Sequence, residues 1–248
     1  MAGMLLLSKK TDFILPADEA ATRASVCWLL LTKSNFAVER TLNAEFCSSD
    51  GLLPVVRLNG HLIQGYDALC NALEANSAFT GTHVEAASVR SSRRVYLVWL
   101  SDILRNIMLY FTWIHESTYQ TFTLPRMKRS LPWPLSLYIS RKWKAHYKLF
   151  FESMGWSRKM LTDVLEDLDG VCFALTQLLG HGPFFFEHSS PGCLDALIFG
   201  YWTVLADFEV FSPCKPILAR CSPMAALIER MKELCDSDVA HVLEVNTK

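Results

Sequence analysis

Long uninterrupted apolar runs are missing from this sequence, and that absence removes one class of protein at once. A membrane-spanning helix needs about 20 predominantly apolar residues. The two most apolar stretches are broken by polar or ionisable groups: 95–114 by Asp102, Arg105 and Asn106, and 193–211 by Asp195, Asp207 and Glu209. Any attachment to a bilayer is therefore expected to be peripheral. A secretory leader is not expected either, because Met4-Leu5-Leu6-Leu7 is too short for a leader's apolar core and Lys9 and Lys10 follow that run instead of preceding it. Closely spaced cysteine pairs are also absent. The eight cysteines, at 27, 47, 70, 172, 193, 214, 221 and 235, stand singly in or beside apolar runs, which predicts reduced, buried thiols in a cytosol-facing protein.

Signatures of common chemistries are lacking in the same way. There is no GxSxG, GxGxxG, P-loop or HExxH, and His115-Glu116 has no second histidine in register. The seven histidines (61, 83, 115, 146, 181, 188 and 241) show no metal-ligand spacing; His181 and His188 flank Phe184-Phe185-Phe186, which reads as core between two loops. No metal site is expected. Nucleic acid is not expected as a partner, because the net charge is -1 and no DNA- or RNA-binding motif occurs.

What the sequence does have is apolar content, 51% of its residues against 20% charged, enough to bury a substantial core in one large or two small domains. Its charge is segregated. Residues 1–125 hold 10 Lys/Arg and 11 Asp/Glu, residues 126–159 hold 9 and 1, and residues 160–248 hold 5 and 13. Such asymmetry can set a basic strip against an anionic surface, or the two charged segments can neutralise each other.

The first eighty residues read as a small α/β unit. Asp12–Leu15 is a strand candidate, Pro16-Ala17-Asp18-Glu19 opens a helix to about Thr32, and Phe36–Arg40 is a second strand. Leu53–Leu58 and His61–Ile63 flank Asn59-Gly60, which predicts a hairpin with a type I′ turn. Gly65 then releases a helix to about Ala75, and the polar stretch 76–82 serves as a linker. Strand, helix, strand, hairpin, helix is the thioredoxin-like order, with Pro54 as the candidate cis bond.

Everything after about Ser88 reads as helix. Over 157–179 the residues Leu161, Val164, Leu165, Leu168, Val171, Cys172, Leu175, Leu178 and Leu179 recur at helical spacing, with Gly180 as the cap; the acids on the opposite face read as solvated. Pro132-Trp133-Pro134 fixes an extended entry to a helix over about Leu137–Met154, which sets Ile139, Trp143, Tyr147, Phe150 and Met154 on one side and Arg141, Lys144 and Lys148 on another. Those three cations are candidates for contact with anionic lipid or an acidic partner, although a solvated face explains them equally well. The helix at 95–114 is apolar almost all round, so Leu109 and Trp113 are candidate interaction residues; packing against the N-terminal unit is the plainer account.

Leu53-Pro54 with the Asn59-Gly60 hairpin, the helical second half, and Leu194-Asp195-Ala196-Leu197 opening a late helix resemble the glutathione-transferase superfamily. Asn43-Ala44-Glu45-Phe46, Pro132-Trp133-Pro134-Leu135, Gly155-Trp156, Val164–Asp169, Pro183–Phe186 and Leu194–Gly200 narrow the resemblance to the metaxin family, in its type two branch. The resemblance implies an α+β fold, with a thioredoxin-like domain over 1–80 and an all-helical domain over 81–248. It implies a subunit of the sorting and assembly machinery of the mitochondrial outer membrane, peripheral on the cytosolic face. The implied partners are a second metaxin and the barrel-forming core subunit, with no cofactor. One departure is Gly192, where the superfamily has Ser or Thr three residues before the Asp of a capping box; the helix start is expected to use Ser190 instead or to be weaker.

The rival reading is a glutathione-dependent transferase. That chemistry needs a hydroxyl or thiol after the first strand, and Pro16–Ala21 contains neither, while Asp18 and Glu19 would raise the pKa of any thiol nearby. The pair that grips glutathione's termini would be Gln64-Gly65, lacking the usual Ser, so a degenerate pocket would consist of Gln64 and Pro54. No catalytic residue is expected.

Overall fold

The computed structural model describes residues 4–9, 15–41, 47–48, 53–58, 60–75, 87–187 and 189–245. Strands β1 (Met4–Lys9), β2 (Phe36–Thr41), β3 (Val55–Leu58) and β4 (His61–Gln64) form one sheet in the order β2-β1-β3-β4. Strand β1 is parallel to β2 and antiparallel to β3, so that Leu6 lies opposite both Val38 and Val56; all three are buried. Helix α1 (Pro16–Leu31) crosses from β1 to β2, and α2 (Tyr66–Ala75) follows the hairpin. The Leu53-Pro54 bond is cis, Gly60 turns the hairpin at φ 82°, and Gly65 donates its N–H to the Pro54 carbonyl over 2.9 Å. Asn59 and the linker at 76–82 lie outside the described residues.

The first strand is not where the sequence placed it. It is Met4–Lys9, and Leu15 is the residue that precedes α1, with 12–14 outside the described residues. A strand in the middle of a sheet is covered on both faces and reads as a continuous apolar run, which describes Met4–Leu7 better than the residues next to Pro16.

The helical half contains α3 (Ala87–Leu109), α4 (Glu116–Thr118), α5 (Leu124–Ser130), α6 (Leu135–Ser153), α7 (Leu161–Leu179), α8 (Cys193–Asp207), α9 (Lys215–Arg220) and α10 (Ser222–Val245). Two π-helical segments, Tyr110–Ile114 and Tyr119–Thr123, interrupt the run between α3 and α5. Thr123 Oγ1 donates to the Thr112 carbonyl over 2.6 Å, satisfying a buried backbone group where the winding changes. Helix α7 buries the predicted face, and Gly180 ends it at φ 58°. None of the helices among the described residues is long and apolar enough to cross a membrane.

Helix α8 is buried at every position from Cys193 to Leu205, the mark of a helix packed on all sides. It crosses α1 where Gly200 meets Ala20 and Ala24, and these small residues let the two backbones touch. Its N-terminus is capped from inside the helix: Asp195 Oδ2 accepts the Gly192 N–H over 2.8 Å and Oδ1 accepts the Phe185 N–H over 3.1 Å. This is the acid's half of the capping box; Ser190, the candidate for the missing hydroxyl, is exposed. Burial raises the Asp195 carboxyl to about 7 despite these two donors.

Candidate interaction surface

Helix α6 lays one stripe on the protein and leaves another outside. Trp143, Tyr147 and Phe150 pack against the core, as the spacing predicts, whereas Ile139 is half-buried and Met154 is exposed. The outer stripe is Tyr138, Arg141, Lys142, Ala145, Lys148 and Leu149, all exposed. Tyr138 and Leu149 are each 66% accessible, and Trp133, just ahead of the helix, is 80% accessible. Among the described residues Arg141, Lys142 and Lys148 make no ion pair within 4 Å. Large apolar side chains interleaved with cations are what an amphipathic partner or an anionic bilayer surface engages.

Three of the residues named from sequence play a different part. Lys144 turns inward: its Nζ lies 2.6 Å from Glu116 Oε2 and 3.9 Å from the centre of the Tyr119 ring. The bond from Lys144 holds the Glu116 carboxyl below its ordinary range. Leu109 and Trp113 are core residues, 3% and 1% accessible, so they cannot form a docking surface. Trp113 is stacked on Tyr147 of α6 at 5.2 Å. The apolar girth of α3 is covered in part by its neighbours α1, α2, α7 and α8, which bury Leu97, Leu100, Leu104, Ile107 and Met108, while Val95, Val98 and Trp99 stay exposed. Conversely, sequence reading passed over Lys142, Tyr138 and Leu149, although the spacing 138, 142, 145, 149 is itself a helical stripe.

The segregated charge is partly neutralised within the fold. Lys159, from the basic segment, pairs with Asp167 of the acidic one and lies over the Trp156 ring at 4.1 Å. The outer cations of α6 remain exposed.

Pro54, which directly precedes β3, and Gln64, which ends β4, are the residues named for a degenerate glutathione pocket. Pro54 is buried, and Gln64 ends β4 half-buried with the Ser48 hydroxyl 3.3 Å from its Oε1, so a hydroxyl reaches Gln64 from a residue other than its successor. At the start of α1, the Thr22 hydroxyl donates to the Asp18 carbonyl over 2.8 Å, and Glu19 is paired with Arg23, which also reaches Asp207 over 2.7 Å. With β1 at Met4–Lys9, the hydroxyls that precede α1 are Ser8, opposite Arg40 in the sheet, and Thr11, which lies outside the described residues. Sequence reading passed over both because it set the strand too late.

Comparison with known proteins places this arrangement. Residues 24–144, from α1 into α6, match the family described as outer mitochondrial membrane transport complex protein, and residues 168–231 match the glutathione S-transferase C-terminal domain. Human metaxin-2 is 30% identical over 199 residues, which cover 79% of this chain and 74% of the human protein. The chain belongs to the metaxin family. Mouse metaxin-2 is likewise 30% identical, over 77% of this chain and 73% of its own length. The Caenorhabditis elegans metaxin-2 homolog is 26% identical, over 78% of this chain and 84% of its own length.

The metaxin fold here is that of the glutathione transferases. The enzyme from Xylella fastidiosa superposes with a TM-score of 0.59 across 98% of both chains at 13% identity. A tau-class enzyme from mango gives 0.52, covering 93% of this chain and 89% of its own, at 14% identity. Such identities establish shared architecture, and activity is a separate matter of site residues.

Proposed function

We propose that this metaxin-family chain is a non-catalytic subunit of the sorting and assembly machinery of the mitochondrial outer membrane. On this reading it sits peripherally on the cytosolic face, a thioredoxin-like domain over 1–80 joined to a helical domain over 81–248. It supports the insertion of β-barrel proteins by docking to a second metaxin and to the barrel-forming core subunit. The observation that carries the reading is the outer face of α6, where Trp133, Tyr138 and Leu149 stand exposed among Arg141, Lys142 and Lys148. The match to the outer-membrane transport family supports it. Each cation close to an anionic membrane surface contributes about 1 kcal/mol, so three contribute about 3 kcal/mol, or roughly a hundredfold in affinity.

The test is the triple reversal Arg141→Glu, Lys142→Glu, Lys148→Glu in the full chain, with Lys144 left in its internal pair. Expected are an unchanged urea midpoint and loss of most co-purification with mitochondrial outer membranes; association at the normal level would overturn the assignment of this face. Retention of the normal chain on immobilised glutathione, together with turnover of a thiol-reactive substrate, would instead establish a transferase built around Pro54 and Gln64.

A further inference from the structure

The docking reading uses α6 and leaves a second exposed stripe, on the N-terminal half of α3, without a role. Helix α3 turns Leu97, Leu100 and Leu104 into the core, where each is at most 3% accessible. On its other side Val95, Val98 and Trp99 are 68%, 43% and 41% accessible. Arg94 and Asp102, one turn before Val98 and one turn after it, are exposed as well. Positions 94, 95, 98, 99 and 102 recur at helical spacing, so these side chains form one stripe. A scattered apolar residue on a surface is ordinary, whereas three at contact spacing on one helix mark a face that another molecule covers.

Trp99 is also held in place. Its ring meets that of Tyr96 edge-on at 6.3 Å, and Tyr96 meets Phe186 in the same way at 6.3 Å. A tryptophan fixed by its neighbours loses little side-chain freedom when it is covered, which suits it to anchor an interface.

The charges on the stripe identify the occupant. Arg94 stands at one end; its Nη2 lies 3.3 Å from Asp67 Oδ2 of α2, with the Arg94 side chain still 63% exposed. Asp102 stands at the other end and, among the described residues, makes no ion pair within 4 Å. An anionic bilayer would attract one end of this stripe and repel the other. A second α3 laid antiparallel, with a two-fold axis passing Val98, sets position 94 of each helix against position 102 of the other, because the two positions are equally distant from 98 in the chain. Both charged ends are then satisfied together, Val98 meets its own copy, and Trp99 covers Val95 of the second chain. A patch that is its own complement under a two-fold axis is what an isologous dimer requires.

We propose that two copies of this chain pair through the N-terminal halves of their α3 helices, antiparallel about Val98, with Arg94 and Asp102 forming two symmetric ion pairs around an apolar centre of Val95, Val98 and Trp99. The apolar centre is small, so association in the micromolar range is expected. The stripe lies on a different helix from the outer face of α6, and the two surfaces can be tested separately.

The test uses the full chain. Gel filtration with light scattering at micromolar concentration should give twice the chain mass of 28.1 kDa. Asp102→Arg alone and Arg94→Asp alone should each weaken the dimer at least about tenfold, because each turns two attractions into two repulsions. Mixed in equal amounts, these two variants should pair with each other to within a few-fold of the normal affinity, since every position 94 again faces the opposite charge at position 102. Under a mild oxidant Val98→Cys should cross-link to a second copy through residue 98, whereas Phe173→Cys, on α7 at a position where the native side chain is 68% accessible, should not. A normal chain that stays monomeric, or that pairs only with a different protein, would overturn the proposal. So would single variants as dimeric as normal, a mixture no tighter than either variant alone, or Phe173→Cys cross-linking as fast as Val98→Cys. If Arg94→Asp does not fold by circular dichroism, Asp102→Arg and the Val98→Cys cross-link decide.

Discussion

Gly200→Ala is the substitution whose sign depends most directly on the geometry of the α1–α8 crossing. A methyl group there would lie 2.4 Å from the Ala24 nitrogen, 2.6 Å from the Ala20 oxygen and 2.7 Å from the Ala24 Cβ. None of these atoms can rotate away, so the helices must part by about 1 Å to restore ordinary contact, and a gap of that size forfeits up to about half of each dispersion well along the crossing. Overpacking of this kind costs about 3 kcal/mol at the upper end of its usual range, while exchanging Gly for Ala in a helix returns about 1 kcal/mol. The net loss is about 2 kcal/mol, which for a chain of this size lowers the melting temperature by roughly 4–8 °C. Gly170→Ala is the matched control: it lies in exposed α7 with nothing within 4 Å of the added methyl, so it should raise the melting temperature by roughly 2–4 °C. Thermal unfolding followed by circular dichroism reads both. A Gly200→Ala chain that melts at or above the normal temperature would refute the close crossing, and with it the account of how the two halves are joined.

Asp195→Ala strips acceptors from two amides, Gly192 at the start of α8 and Phe185 in the preceding turn, and should cost about 2–4 kcal/mol in urea unfolding. Because the folded chain holds the Asp195 proton up to about pH 7 whereas an ordinary aspartate releases it near 3.8, the folded state binds more protons between those values. Stability should therefore fall as pH rises through that window, by at most about 1.4 kcal/mol per unit from this group. Asp195→Asn should show a shallower fall from pH 4 to 7, and an identical slope in both chains would contradict the burial of a protonated carboxyl. Lys144→Glu should lower the urea midpoint more than Arg141→Glu or Lys148→Glu, since it alone breaks an ion pair and a cation–ring contact; equal midpoints would show that the Glu116 and Tyr119 contacts contribute nothing.

The hairpin, the cis bond at Pro54, the buried face and glycine end of α7, and the inner stripe of α6 were all legible in the sequence, because each is set by residues within a few positions of one another. Turn chemistry and helical periodicity are local, and so were the strings that marked the family. What only tertiary structure decided depends on neighbours distant in the chain. A run of three leucines became an inner strand because β2 and β3 pair with its two edges. Trp113 left the surface because Tyr147 stacks on it, and Lys144 turned inward because Glu116 and Tyr119 wait there. Tyr138 and Leu149 stayed outside because the core had already taken the other face of their helix. Arg93 and Cys193 meet across 100 positions; no spacing along the chain encodes that contact, since it exists only once α2, α3 and α8 have packed together.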